Sequence, residues 1–321
     1  MIKISLLLVT ILCLVSCSPQ KSSPLEGTQK LEKIRLKLNW FPEAEHGGYF
    51  HGVVSGMYKE AGLDVEIVSG GPGNPVETEV AVERFEFGIA NADKILAVRE
   101  NKLPIIGLFA PYQKSPRCLL AHKESGINSW DDIVKTKQLI VNDTKPYYAY
   151  LLKQYPSLKG IQTIKYSQAT FMANKESIMQ GYVNSEPIIM KQKGIDVKVL
   201  PVHDIGFNPY ASVLITSEAM LKNNPELVAK MVEVTRHAWL AYLADPQAAN
   251  HEILKRNPEL GNSLSESMHI LKDYMQADNF GEMTDQRWLI LAEQLQKLGI
   301  IKDASLVKSA YTTEFIKNNL K

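Results

Sequence analysis

Between Leu38 and Gly52 the chain reads LNWFPEAEHGGYFHG. This stretch sets two carboxylates (Glu43, Glu45), two histidines (His46, His51), an indole (Trp40) and a phenol (Tyr49) within fifteen residues. Such groups serve three chemistries: a metal site, an acid–base pair, or a clamp for an aromatic ligand. Adjacent side chains on a helix do not face each other, which argues against Glu45 and His46 as a dyad. The five-residue spacing of His46 and His51 does not match a helical zinc motif, and no third ligand is apparent, so no metal is expected. A flat heteroaromatic ring with an exocyclic amine needs a plane to lie against, an acceptor for the amine and donors for the ring nitrogens. Trp40 offers the plane, or packs in the core. Asn39 offers an edge hydrogen bond, or caps a turn. His46 and Tyr49, three apart at a helix start, either line a cleft together or cap and pack. Glu43 and His51 are expected in solvent.

Other stretches add candidates. GYVNSEP places Tyr182 and Glu186 around a proline boundary, where helices do not continue smoothly. Glu186 is expected to accept the amine, with a surface ion pair as its alternative. In GFNPYAS, Asn208 and Tyr210 offer an edge hydrogen bond and a second stacking surface, or simply form an Asn-Pro turn. GGPGNP (Gly70 to Pro75) has backbone amides for an anion but lacks the lysine and hydroxyl of a phosphate-binding loop, and reads as a plain turn. Thr144 and the helix start after it can meet a phosphate or polar tail. Gln113 shapes a crossing between lobes or faces the cleft, and Asn91, after the FGIA run, completes the set.

These residues sit among alternating strand-like and helical runs, which argue for α/β layering. KIRLKLNW alternates at period two. GGYFHGVVSGMYKEAG has helical spacing and ends on Gly62 as a C-cap. LDVEIVSG, FGIAN and LPIIGLFAP read as strands, with VETEVAVERFE and DKILAVRENK as helices between them. A second βα series begins at QLIVND. From ASVLITS onward helices dominate, the longest opening with Asn224 as cap and Pro225 at its first position. One lobe, then a second, then a long return is the organisation of two-lobed solute-binding proteins, with crossings expected near Ala121 and Ser212. The divisions are a leader over residues 1–16, a lipidated cysteine and tether over 17–32, the first lobe over 33–120, the second over 121–211, and the return with C-terminal helices over 212–321.

The ends and composition narrow the class. MIKISLLLVTILCLVSC has one lysine and an apolar run too short to span a bilayer comfortably, as in a secretory leader. Its LVSC ending resembles the bacterial lipoprotein box, which implies lipidation of Cys17. The tail Ser18 to Lys30 has a tether's composition. Of three cysteines, Cys118 alone would remain free, which excludes a disulfide framework and a thiolate metal cluster. The whole chain carries +1, and the leader holds Lys3 and no acid, so the mature chain has no net charge to attract nucleic acid.

LNWFPEAEHGGYF, GMYKEAGLDVEI, FGIANADKI, KSPRCLLAHKESGINSWDDI and GYVNSEP, in this order, resemble a family that binds thiamine pyrimidine precursors. That family includes importer-associated binding proteins and enzymes that make the pyrimidine phosphate. The resemblance implies a type II periplasmic binding protein fold with a ligand cleft between its lobes. It also implies that Tyr182 and Glu186 contact the ring. The enzyme branch carries pyridoxal phosphate on a lysine after the FG strand, where this chain has Ala90. That branch has a cysteine cluster where this chain reads GFNPYAS, Gly206 to Ser212. Lys94 is read as a surface or hinge lysine. The expectation is therefore a non-enzymatic, cofactor-free, monomeric binding protein, exported and lipid-anchored. Its partners would be a small heteroaromatic ligand and the permease and ATPase of an ABC importer. Riboflavin, a purine-like base or a sulfonate are the alternative ligands.

Overall fold

The computed structural model describes residues 30–276 and 279–317; the leader, Cys17 and most of the tether lie outside the described residues. Ten strands form two five-stranded mixed sheets. In chain order they are β1 (Glu32–Lys37), β2 (Leu63–Val68), β3 (Phe87–Ala90), β4 (Ile105–Phe109), β5 (Arg117–His122), β6 (Gln138–Ile140), β7 (Gln162–Ile164), β8 (Ser177–Tyr182), β9 (Val197–Pro201) and β10 (Val213–Ser217). The first sheet has the order β2-β1-β3-β10-β4 and the second β7-β6-β8-β5-β9.

Each sheet repeats one plan. β1 runs parallel to β2 and β3, and β6 runs parallel to β7 and β8. The fourth strand of each sheet, β10 or β5, is antiparallel to both its neighbours. These two are the first strands after the chain crosses between sheets. The crossing segments touch in an antiparallel bridge between Tyr112 and Ala211. The outward crossing therefore ends at Arg117, so that Ala121, expected near the boundary, lies inside β5. β1 likewise begins at Glu32, within the stretch assigned to the tether.

The central strands β3 and β5 form where apolar runs are buried on both faces, while β1 and β2 alternate between buried and exposed residues. All four residues of β3 are buried, and β5 sends Leu119 and Ala121 into one core and Cys118 and Leu120 into another, at the period of a strand. The expected helix through Gly62 is broken. Helix α1 spans Gly47–Val54, and Gly56 takes a left-handed φ of 84° before a second short helix, Met57–Glu60. The long helix occupies Pro225–Ala244, with proline in its first turn. Asn224 precedes it, but its side chain meets Met220 Sδ at 3.5 Å instead of capping. Among the described residues no helix is long and apolar enough to cross a membrane.

Helix α1 packs on the Pro225–Ala244 helix so closely that two glycines are required. A Cβ on Gly47 would lie 1.9 Å from the Tyr242 ring, and one on Gly48 would lie 2.2 Å from the indole of Trp239. Gly48→Ala should therefore cost about 1–3 kcal/mol through overpacking, since Trp239 is fully buried and has no room to turn. Denaturant unfolding measures this, and an unchanged midpoint would show that the two helices separate freely.

Candidate functional site

Because β1, β3, β6, β7 and β8 all end towards the same opening, the segments after them line one cavity of about 820 Å³. In α/β sheets this carboxyl end is where ligands bind. Asn39 and Trp40 follow β1, Asn91 follows β3, Asn142 to Lys145 follow β6, Lys165 and Tyr166 follow β7, and Glu186 follows β8, whose last residue is Tyr182. Trp40 is held from behind. Leu38 N–H donates to Val68 O and Gly70 N–H to Trp40 O, each at 2.9 Å, which extends the β1–β2 pairing past the strand ends. Across the cavity the Tyr166 ring meets Trp40 edge-on at 6.0 Å.

Asn91 joins three segments. Its Nδ2 donates to the Tyr182 hydroxyl at 3.0 Å, which links the first sheet to the second. Its Oδ1 accepts from Ser212 N–H at 3.0 Å, where Ser212 enters β10 with a left-handed φ of 51°. That conformation is strained for a non-glycine residue, and the carboxamide bond fixes it at the returning crossing.

Three carboxylates line the acidic side of the cavity: Glu43, Glu45 and Glu186. Glu186 accepts from Tyr182 N–H at 2.6 Å and from the Tyr166 hydroxyl at 2.9 Å. Burial pushes its carboxyl up, and these hydrogen bonds partly restrain the rise. Glu43 is pushed well above the usual carboxylate range, first by burial and then by Glu186 and Glu45; Ser185 and Trp40 oppose this through hydrogen bonds. Glu45 is buried and fixed by His46. The His46 Nδ1 accepts from Glu43 N–H at 3.4 Å, so Nε2 is the donor, shared between Asn39 Oδ1 at 2.9 Å and Glu45 Oε1 at 3.1 Å.

Of the residues singled out in the sequence, Asn39, Trp40, Glu45, Asn91, Tyr182 and Glu186 line the cavity. Five do not. His46 is fully buried behind it and orients Asn39 and Glu45. Tyr49 is fully buried, edge-on to Trp239 at 5.7 Å. The three-residue spacing misled here because His46 ends a separate 3-10 turn, Ala44–His46, and α1 starts only at Gly47. Gln113 donates to Ala110 O and Glu282 O at the outward crossing, shaping that turn. Asn208 is exposed and accepts from Ser115 N–H at 2.8 Å. Tyr210 is buried against Trp288, with the Arg287 guanidinium 3.7 Å above its ring. Both belong to the turn before β10 rather than to the cavity.

The cavity is also lined by residues that the sequence did not assign to it, among them Glu43, Lys94, Arg117, Lys145 and Tyr166. Glu43 was placed in solvent and Lys94 on the surface. His51, also placed in solvent, is half-buried, and burial lowers its pKa. The alternation of βα units offered a signal for Tyr166, which follows β7 as Asn91 follows β3. Among the described residues no group of three or more His, Cys, Asp or Glu side chains could hold a metal. Cys118 is buried, and burial pushes its thiol up. Ala90 lines the cavity at the position where the enzyme branch needs a lysine, and Gly206 to Ser212 supply no thiolate, so these residues do not fit pyridoxal phosphate or iron.

The raised carboxyls carry a pH dependence. A folded-state pKa above the ordinary 4.5 means that the folded chain keeps a proton the unfolded chain has lost. Stability of the ligand-free protein should therefore be favoured below that value and decline as pH rises through the raised one. Glu43→Gln should flatten the decline and raise the unfolding midpoint at neutral pH. Urea unfolding from about pH 4 to about pH 8 tests this, and a slope unchanged by the substitution would contradict it.

Riboflavin-binding protein RibY of Chloroflexus aurantiacus is 25% identical over 94% of this chain and 91% of its own length. The formylaminopyrimidine-binding protein of Halalkalibacterium halodurans is 24% identical over 89% and 90%. The 4-amino-5-hydroxymethyl-2-methylpyrimidine phosphate synthase THI13 of Saccharomyces cerevisiae is 26% identical over 73% and 74%. The periplasmic aliphatic sulphonate binding protein SsuA from Escherichia coli superposes with a TM-score of 0.64 at 10% identity, covering 87% of this chain and 91% of that one, so the fold is that of periplasmic binding proteins. Residues 43–249 match the sequence model described as NMT1/THI5 like, and the chain belongs to that family.

Proposed function

We propose that this chain is the solute-binding component of an import system and captures a flat, amine-bearing heteroaromatic solute of the aminopyrimidine kind. The observation that carries this reading is the meeting of Trp40 with Glu43, Glu45 and Glu186 in one cavity at the strand ends of both sheets. The indole supplies a stacking plane, and base-on-aromatic stacking is worth about 1–3 kcal/mol. The carboxylates accept from the exocyclic amine. A ring lacking that amine would leave an acceptor buried and unpaired, at about 1–3 kcal/mol, which sets selectivity. The relatives that bind riboflavin and formylaminopyrimidine support a binding role, and Ala90 with the cysteine-free turn speaks against the synthase chemistry of others in the family.

Cys17 anchors the exported chain to a bacterial membrane by lipid in this reading, and the tether lets the body reach an ABC permease and its ATPase. Closure about the two crossings would bury the ring between the sheets. Riboflavin is the second reading. An 820 Å³ cavity has room for a tricyclic ring, and the same indole can stack it.

Of the four tryptophans, Trp40 is the one that lines the cavity; Trp239 and Trp288 are fully buried and Trp130 stacks on Tyr155. Titration with formylaminopyrimidine and riboflavin should therefore quench the Trp40 share of the fluorescence. Trp40→Ala should remove that quenching and weaken binding, measured by calorimetry, by about fivefold to 150-fold. Saturable quenching by riboflavin alone would move the ligand to the second reading. Full-strength binding in Trp40→Ala would overturn the clamp.

A further inference from the structure

The cavity has a second electrostatic character away from its carboxylates. Arg117, at the start of β5, lies between two phenol rings, its guanidinium carbon 4.6 Å from the centre of Tyr147 and 5.2 Å from that of Tyr182. An arginine has five N–H donors in a planar fork. The side-chain contact they make is one long hydrogen bond to the Tyr182 hydroxyl, at 3.5 Å. Asp93 is the carboxylate that acts on the guanidinium, and it forms no ion pair with it. Arg117 lines the cavity.

Lys145 and Lys94 line the same cavity, and neither has an ion pair among the described residues. Lys145 is half-buried and held below its ordinary pKa, by burial first and then by Arg117, with Lys94 adding to the effect. Glu77 and Asp93 act against it from longer range. This group is distinct from the acidic one. Glu186 and Glu45 act on Glu43, and Glu45 on Glu186, whereas Arg117 and Lys94 act on Lys145, and Asp93 acts on both Arg117 and Lys145. Tyr182 stands between the two, under the influence of both Arg117 and Glu45. Gathering cations around a cavity without a paired anion is unfavourable, and an anion brought by a ligand relieves it. A guanidinium fork beside two phenol rings suits an oxyanion, which it can engage through two parallel hydrogen bonds. Lys145 also precedes the Pro146–Gln154 helix, whose positive end points the same preference.

We propose that the solute carries an oxyanion substituent, a phosphate ester or a carboxylate, that docks on Arg117 with Lys145 and Lys94 while its ring amine meets the carboxylates. This rests on the ligand-binding reading of the cavity and narrows the ligand to a ring bearing opposite charges at its two ends.

The test compares matched pairs by calorimetry on the purified protein. 4-Amino-5-hydroxymethyl-2-methylpyrimidine is set against its phosphate ester and against the same ring bearing a 5-carboxylate, and riboflavin is set against its 5′-phosphate. An oxyanion-bearing member should bind about tenfold or more tighter than its neutral partner, with the advantage shrinking as salt is added. Which oxyanion gains more decides between phosphate and carboxylate. Arg117→Gln should bring the ratio towards one. Lys145→Gln, at a half-buried position, should lower it in part and serves if the Arg117 variant does not fold. A neutral ring that binds as tightly as its anionic partners would overturn the inference while leaving the ring clamp standing, as would a ratio that survives Arg117→Gln. Binding of no ring, charged or neutral, would overturn the clamp and this inference together.

Discussion

Two strands run against their sheets, and the cavity exists because they do. β5 and β10 each enter beside parallel strands in the opposite sense, so each crossing segment arrives at the carboxyl ends of the sheet it joins. Arg117 therefore pairs with Tyr182, and Val213 with Ala90, at the floor of one opening. Loops following strands of both sheets converge there without any being long. Asn91 makes the convergence rigid, accepting from the Ser212 backbone on the returning crossing and donating to Tyr182 in the other sheet.

On that frame the side chains build a site in electrical tension. Glu43 and Glu186 lie close enough to act on each other with no cation at ion-pair distance, and the Glu43 carboxyl is pushed well above its usual range. Lys145 faces the converse difficulty, its charge disfavoured by burial and by Arg117. Neither group is relieved by the other, because Tyr182 and the cavity itself lie between them. Buried charges left unpaired in a free protein destabilise it and are commonly satisfied by what the protein binds. His46 fits the same logic from behind: it meets no ligand, but its Nε2–H fixes the direction of Glu45 and Asn39.

Much of the fold was legible because several of its strands are short apolar runs buried on both faces, such as FGIA and IIGLF, where local composition and tertiary environment agree. Helix ends were harder to read. Gly56 sits inside a sequence of helical spacing, and only its left-handed backbone breaks the helix there. Residues directly after strands, such as Trp40, Asn91 and Glu186, could be placed near the opening from strand order alone. Tyr49 could not, since the burial of its ring depends on Trp239, which packs edge-on to it from a helix far away in sequence. Arg117 and Glu43 were hidden for another reason. Their significance lies in what is absent around them, a counter-charge, and that depends on pairing between segments far apart in sequence.

The most direct measurement is a crystal structure of the protein grown with formylaminopyrimidine. The expected result is the ring lying against the Trp40 indole, between the two sheets, with its exocyclic amine at hydrogen-bond distance from Glu45 or Glu186. A ring bound elsewhere, or one seated in the cavity with Trp40 and all three carboxylates turned away from it, would contradict the clamp.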